Sequence, residues 1–322
     1  MRAQHRVRAN SPCVAGDQWA PAFAEFKSAA AQLCKGIPSW KRGQAISAKT
    51  SERNHWERFW DASRDLDEIY STQGRILHAL EGIFEPEGKL VLEVGAGTGR
   101  DSQALAERGA TVVTLDYADS AIRLISGLVS RVPRLYAVQG DAFAPPFRPG
   151  TFDLVFHQGL LEHFRDPLPL LRANVELLKP GGLLLVDVPQ RYHLYTLVKH
   201  VAIWLDKWFA GWETEFSIGQ LERLVRQVGM EPVRRYGDWM RPSFVYRASR
   251  EALKAAGLRL PMYPPAVPVL HELREGLRKW AWGRKWAFYT YLDIGVIARK
   301  PATVESEGVP KPAERAREAV VP

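Results

Sequence analysis

The stretch that decides the fold is Lys89–Arg100, KLVLEVGAGTGR. Leu90, Val91, Leu92 and Val94 are apolar, Glu93 is the one charge among them, and the run reads as a buried β-strand. Gly95, Gly97 and Gly99 close it, and Arg100 and Asp101 open a helical pattern. Glycines at alternate positions allow backbone conformations closed to other residues. They also let a ligand rest on bare main chain at the amino end of the next helix. The spacing is G-x-G-x-G; a dinucleotide fingerprint would place its third glycine where Arg100 stands, which argues against a dehydrogenase. Taken alone, the loop is equally a tight strand-to-helix turn with no ligand.

Outward from the loop the alternation of strand and helix continues. Asp101 to Arg108 reads as a helix stopped by Gly109, and Thr111 to Leu115 as a second strand ending in Asp116. An acidic side chain there, seventeen positions beyond Gly99, is placed to accept hydrogen bonds from both hydroxyls of a ribose. Asp119 or Ser120 is the expected cap of the next helix. Arg134 to Gln139 then leads to Gly140, Asp141 and Ala142. Thr151 to Phe156 supplies a fourth strand that runs out into HQGLLEHF, His157 to Phe164. Asp166 and Pro167 start a helix that Lys179, Pro180, Gly181 and Gly182 break before a fifth strand.

With these features in register, the chain resembles the class I S-adenosylmethionine-dependent methyltransferases, in the branch acting on small molecules and lipid-type acceptors (methyltransferase type 11-like). The resemblance covers about Leu66 to Val188 well and the end of the chain more loosely. It implies an α/β, Rossmann-like fold: a mostly parallel seven-stranded sheet with helices on both faces and a helical cap. It also implies that the last two strands, at Met230 to Tyr236 and Leu292 to Arg299, pair antiparallel at one edge. S-adenosyl-L-methionine would lie over Glu93, Gly95, Ala96, Gly97 and Gly99, with Asp116 on the ribose, Asp141 on the adenine, and Tyr117, Ala142 and Gln158 alongside. His163 is the candidate general base and His157 the second, each with a purely structural role as the alternative. The Asn/Asp-Pro-Pro-aromatic motif of enzymes acting on amino groups of bases and glutamine is absent, which argues against such substrates; the expected acceptor is small, lipid-like or glycan-type, with O-methylation placed ahead of C-methylation.

Composition sets the remaining bounds. A chain of 322 residues holds one large domain with appendages. Residues 1–53 read as an extension, with Trp19 to Leu33 its one possible helix; 54–300 as the catalytic domain; and 301–322 as a disordered tail. Cys13 and Cys34 offer neither a disulfide framework nor metal-ligand spacing, which suits a reducing cytoplasm, and no metal is expected. The net charge of +8 is uneven: from Pro189 to Lys300 there are nineteen Lys and Arg against ten Asp and Glu. That excess is either a solvated face or attraction to an anionic substrate, membrane or nucleic acid.

Two segments exceed what the sheet requires, 190–216 and 241–286, and both read as acceptor cap. In the first, Leu194, Leu197, Val201, Trp204, Trp208 and Trp212 share a helical face with Lys199 elsewhere, as in a pocket lid, a membrane-surface helix or one packed on the domain. In the second, Leu270, Leu273, Leu277 and Trp280 form a helical face, with Arg274, Arg278, Arg284 and Lys285 expected to be exposed. Trp56, Trp60 and Tyr70, ahead of the first strand, are candidates to line the site, with ordinary core packing as the alternative. An RNA methyltransferase, and a non-catalytic cofactor-binding adaptor at a membrane, are the competing readings; no DNA partner is expected.

Overall fold

The computed structural model describes residues 53–61, 74–205, 213–263 and 268–302. The readings made of Trp19 to Leu33, Cys13, Cys34, Leu66, Tyr70, Trp208, Trp212 and the tail beyond 302 lie outside the described residues.

Apolar runs bounded by turns become one seven-stranded sheet of order β3-β2-β1-β4-β5-β7-β6. The strands are β1 (Leu90–Val94), β2 (Thr111–Asp116), β3 (Leu135–Gln139), β4 (Phe152–Gln158), β5 (Leu178–Pro189), β6 (Glu231–Asp238) and β7 (Asp293–Arg299). The first five are mutually parallel, and β7 runs antiparallel between β5 and β6, as the resemblance implied. The chain order reverses between β1 and β4, so a crevice opens beyond the carboxyl ends of those two strands, where ligands of such sheets bind.

Among the described residues the helices are α1 (Arg53–Asp61), α2 (Arg75–Leu80), α3 (Arg100–Ala106), α4 (Asp119–Val129), α5 (Leu168–Leu177), α6 (Leu194–Trp204), α7 (Ile218–Gln227), α8 (Phe244–Ala255) and α9 (Pro268–Ala281). Ile76 and Leu80 of α2 and Leu105 of α3 pack with Val91, Val112 and Leu154 on one sheet face. Leu170 and Leu171 of α5 and Leu221 and Val225 of α7 pack with Leu92, Val113 and Val155 on the other. The alternation of β1 and β4 across two cores is the period-2 consequence of a sheet buried on both sides.

Two details fix the antiparallel edge. Gly295 in β7 has no side chain because the ring of Tyr236 lies over it; an added Cβ would meet that ring at 2.1 Å. Gly237 in β6 makes the same room for Tyr291, at 2.3 Å. Ser217 and Gln220 form the expected capping box of α7. Neither Asp119 nor Ser120 caps α4, whose capping position is Ala118, a residue with no side-chain acceptor. The sequence reading also passed over α8, whose start is marked by Ser243 accepting from the Tyr246 amide.

Candidate active site

The glycine turn is tied to the tip of β2. The Gly95 amide donates to Leu115 O (2.8 Å), and the Gly97 and Ala118 amides donate to Asp116 Oδ2 and Oδ1, each at 3.0 Å. Gly97 has φ +55°, in the left-handed region, and a Cβ there would stand 2.6 Å from the Trp60 ring. Asp116 is buried; desolvation pushes its carboxyl up while the Ala118 and Gly97 amides pull it back. Each of its oxygens keeps lone-pair capacity beyond the amide it accepts, which suits a diol donating from one side. Burial, then the charges of Asp116 and Asp141, push the Tyr117 hydroxyl up. Asp141 Oδ1 accepts from the Phe143 amide (3.0 Å), and Ala142 and Phe143 rest against the core. The donor set and the bare main chain both fit an adenosyl ligand.

The missing cap of α4 comes from α1. Glu57 Oε1 accepts from the Asp119 amide (2.7 Å), and Oε2 from the Ser120 amide (2.9 Å) and hydroxyl (2.8 Å). Arg53–Asp119 (3.0 Å) and Arg123–Asp61 (2.7 Å) pairs flank it. A carboxylate on the positive end of a helix satisfies orphan amides and the macrodipole together. The latch holds Trp60 against Gly97 and Trp56 edge-on to His163, ring centroids 4.7 Å apart. Slight burial pushes the Glu57 carboxyl up, but the Ser120 and Asp119 amides outweigh it and bring it from 4.5 to about 2. Glu57→Ala is therefore expected to lose about 1 kcal/mol at neutral pH, the usual worth of a cap. Because the folded value is the lower one, that deficit is full above pH 4.5 and shrinks as pH falls towards about 2, which chemical denaturation at pH 7 and pH 3 would check.

A second, buried polar cluster spans the carboxyl ends of β4 and β5 on the α2 and α3 side. Arg75 binds Asp187 through Nη2 (2.7 Å) and Nε (3.1 Å), and Asp293 through Nη1 (2.5 Å). With its amide oriented to satisfy both neighbours, Gln158 accepts from Arg75 Nη2 (2.6 Å) and donates to Asp101 Oδ2 (2.8 Å). Glu93 accepts from Ser102 Oγ (2.5 Å), and burial, with the Asp101 charge second, pushes it up to about 8. Glu93 is thus predominantly protonated at neutral pH.

The two candidate bases occupy different settings. His157 is wholly buried within β4, has no hydrogen-bond partner at either ring nitrogen among the described residues, and is pushed down to about 3 by burial. His163 ends the 3-10 turn Leu161–His163 with Nδ1 unpartnered, beside Trp56; burial brings it to about 4. Both rings are neutral at pH 7. Next to His163, Glu162 is buried with Oε2 unpartnered, and burial and then the Glu213 charge push it well up. Lys199 of α6 enters the same region, bonding Glu213 (2.8 Å) and Glu215 (3.1 Å), and the Thr214 amide donates to Glu162 O (2.7 Å).

The structure therefore brings Gly95, Gly97 and Asp116 together at the glycine turn, sets Tyr117 just after β2 and Asp141 just after β3, where the Gly140 amide donates to Asp116 O (2.9 Å), and places Glu93 and Gln158 in the polar cluster beside the turn. His157 stands apart inside the sheet. Sequence reasoning missed Arg75, Glu57, Glu162 and Lys199. Lys199, a lone cation in an otherwise apolar helix, was the one with a visible signal.

Residues 92–186 match the family described as a methyltransferase domain. The matched stretch runs from β1 into β5. The chain is similar to the ubiquinone biosynthesis O-methyltransferase of Xanthomonas axonopodis pv. citri, 34% identical over 136 residues, covering 42% of this chain and 57% of that protein. It is also similar to the enzyme of the same name from Neisseria meningitidis serogroup C, 27% identical over 184 residues, covering 54% of this chain and 77% of the relative. The match thus spans little more than half the length of the Xanthomonas relative. The chain shares its fold with a chain of the Haloferax volcanii complex between the Trm112 methyltransferase activator and a methyltransferase, at TM-score 0.56 and 18% identity over 78% of this chain and 100% of the other. A SAM-dependent methyltransferase from Thermotoga maritima superposes at TM-score 0.52 and 16% identity, over 77% and 100%.

Proposed function

We propose that the protein is an S-adenosylmethionine-dependent methyltransferase acting on the hydroxyl of a small amphipathic molecule. The observation that supports this most is the buried Asp116 carboxylate at the tip of β2, bonded to the Gly97 amide of the turn that follows β1. The matched domain family and the O-methyltransferase names of the relatives support an oxygen acceptor of lipid-like character. Bound S-adenosylmethionine would supply an electrophilic methyl group, a displacement that needs alignment above all and a base only for the acceptor proton.

In this reading Asp116 holds the ribose, Tyr117, Asp141 and Ala142 surround the adenine, and the turn from Gly95 to Gly99 lies along the rest of the donor. Glu93, held up to about 8 by burial, would in its ionised form offset the donor's positive charge. Trp56 and Trp60, held by Glu57, exclude water. His163 takes the acceptor proton, and segments 190–216 and 241–286 of the 54–300 unit cover the acceptor. No helix among the described residues is long and apolar enough to cross a membrane.

Calorimetric titration with S-adenosylhomocysteine tests the cofactor assignment. Micromolar binding is expected, weakened roughly a hundredfold or more by Asp116→Ala through the loss of two charge-assisted hydrogen bonds. NAD should give no heat, and a preference for NAD over S-adenosylhomocysteine would contradict the assignment.

A further inference from the structure

Helix α6 is turned inside out. Thr196 and Lys199 are 4% and 1% exposed, Thr196 Oγ1 donating to Gln190 O (2.7 Å) and Lys199 to Glu213 (2.8 Å). On the opposite side, Leu197, Val201 and Trp204 are 62%, 51% and 83% exposed. Leu197, Val201 and Trp204 share one face, as the sequence reading has them, but periodicity leaves open whether that face lies inward, as a lid's would. A helix that buries its lysine and presents tryptophan to the outside is suited to an apolar neighbour rather than to water. Helix α9 carries a like stripe, with Leu273, Leu277 and Trp280 all more than half exposed.

The surroundings of α6 say which neighbour. Segment 241–286 has ten Lys and Arg against three Glu. It reaches α6 through Tyr195 against Phe244, 6.1 Å apart, and the base of the cap is joined by Tyr192 against Tyr289 at 5.5 Å. Arg284 lies 4.1 Å over the Trp280 ring, and Lys279 and Lys285 are exposed beside it, whereas Arg278 is drawn in against Glu275 at 3.0 Å. Aromatic and aliphatic side chains rimmed by cations match the interface of an anionic bilayer. A second copy of the chain would bring two such basic segments together, which charge opposes.

We propose that the exposed stripe of α6, with the basic segment 241–286 beside it, docks the protein peripherally on anionic lipid bilayers. The inner face of α6 reaches, through Lys199 and Glu213, the turn that bears His163. Docking therefore sets the acceptor side of the site at the bilayer, a consequence that rests on the methyltransferase reading although the docking itself does not.

The test is sedimentation of the full chain with phosphatidylcholine vesicles and with vesicles also containing phosphatidylglycerol, at about 0.1 M and about 0.5 M salt. Binding is expected to the anionic vesicles, to weaken at the higher salt, and to fall roughly tenfold or more both in Trp204→Glu and in Lys279→Glu/Lys285→Glu. Retained S-adenosylhomocysteine binding by both variants shows that they fold, and it reports separately on the cofactor assignment. Absence of vesicle binding, binding indifferent to these substitutions, or a dimer in sedimentation equilibrium that Trp204→Glu dissociates would each overturn the proposal.

Discussion

Replacement of Arg75 by methionine is expected to destabilise the protein by about 3–5 kcal/mol, the usual cost of stranding buried carboxylates. Arg75, Asp187 and Asp293 are all buried, and the guanidinium is the cation that spans both acids. Burial pushes the Asp187 carboxyl up and Arg75 draws it back, leaving it near 7. Without Arg75 it rises further. A carboxyl whose folded value exceeds its unfolded one loses stability as pH climbs between the two; parent and variant share that loss up to about 7, so the deficit of the variant should grow as pH rises from about 7 upward. A fall in Tm of about 10 °C at pH 7 is the corresponding expectation for a domain of this size. Adding Asp187→Asn and Asp293→Asn should recover most of it, because neutral amides need no counter-charge. An Arg75→Met protein as stable as the parent would show that the cluster is not what joins α2 to the sheet.

Replacement of His163 by alanine is expected to lower kcat by about a hundredfold or more, within the range for loss of a general base. Affinity for S-adenosylhomocysteine should stay within about threefold, since no donor contact is assigned to this ring. His163 is chosen over its neighbour by its ring, neutral at pH 7 with Nδ1 unpartnered, whereas burial and the Glu213 charge raise the Glu162 carboxyl and favour its protonated form. Glu162→Gln should accordingly cost little, as the amide resembles the protonated acid. Because burial holds His163 near 4, the kcat profile should be flat above about pH 5 and fall only below it. Equal losses in both variants would move the role away from the imidazole. His157→Ala should act mainly on stability, because that ring is enclosed within β4.

The central half of the sheet was legible because each strand is bounded by local signals: glycines after β1, an aspartate ending β2, Lys-Pro-Gly-Gly ahead of most of β5. The nucleotide-side candidates follow from those signals, since Gly97 and Asp116 need only adjacent parallel strands to meet. Five features were not legible, for distinct reasons. Glu57 caps α4 across more than sixty residues, Arg75 meets Asp187 across more than a hundred, and nothing local announces either partner. Helical periodicity groups Leu197, Val201 and Trp204 without saying which side of α6 is wet, a choice made here by the pairing of Lys199 with Glu213 and Glu215. Helix α8 was hidden by the prolines that follow it. Glu162 was read as part of a turn, and only burial beside Glu213 marks it as unusual.

Transfer of labelled methyl from S-adenosylmethionine tests the central claim most directly, with alkyl-substituted phenols and total RNA offered as separate acceptors. The account predicts label in the solvent-extractable phenol ether, lost in Asp116→Ala and strongly reduced in His163→Ala. Label in RNA, or tight S-adenosylhomocysteine binding with no transfer to any hydroxyl acceptor, would contradict it.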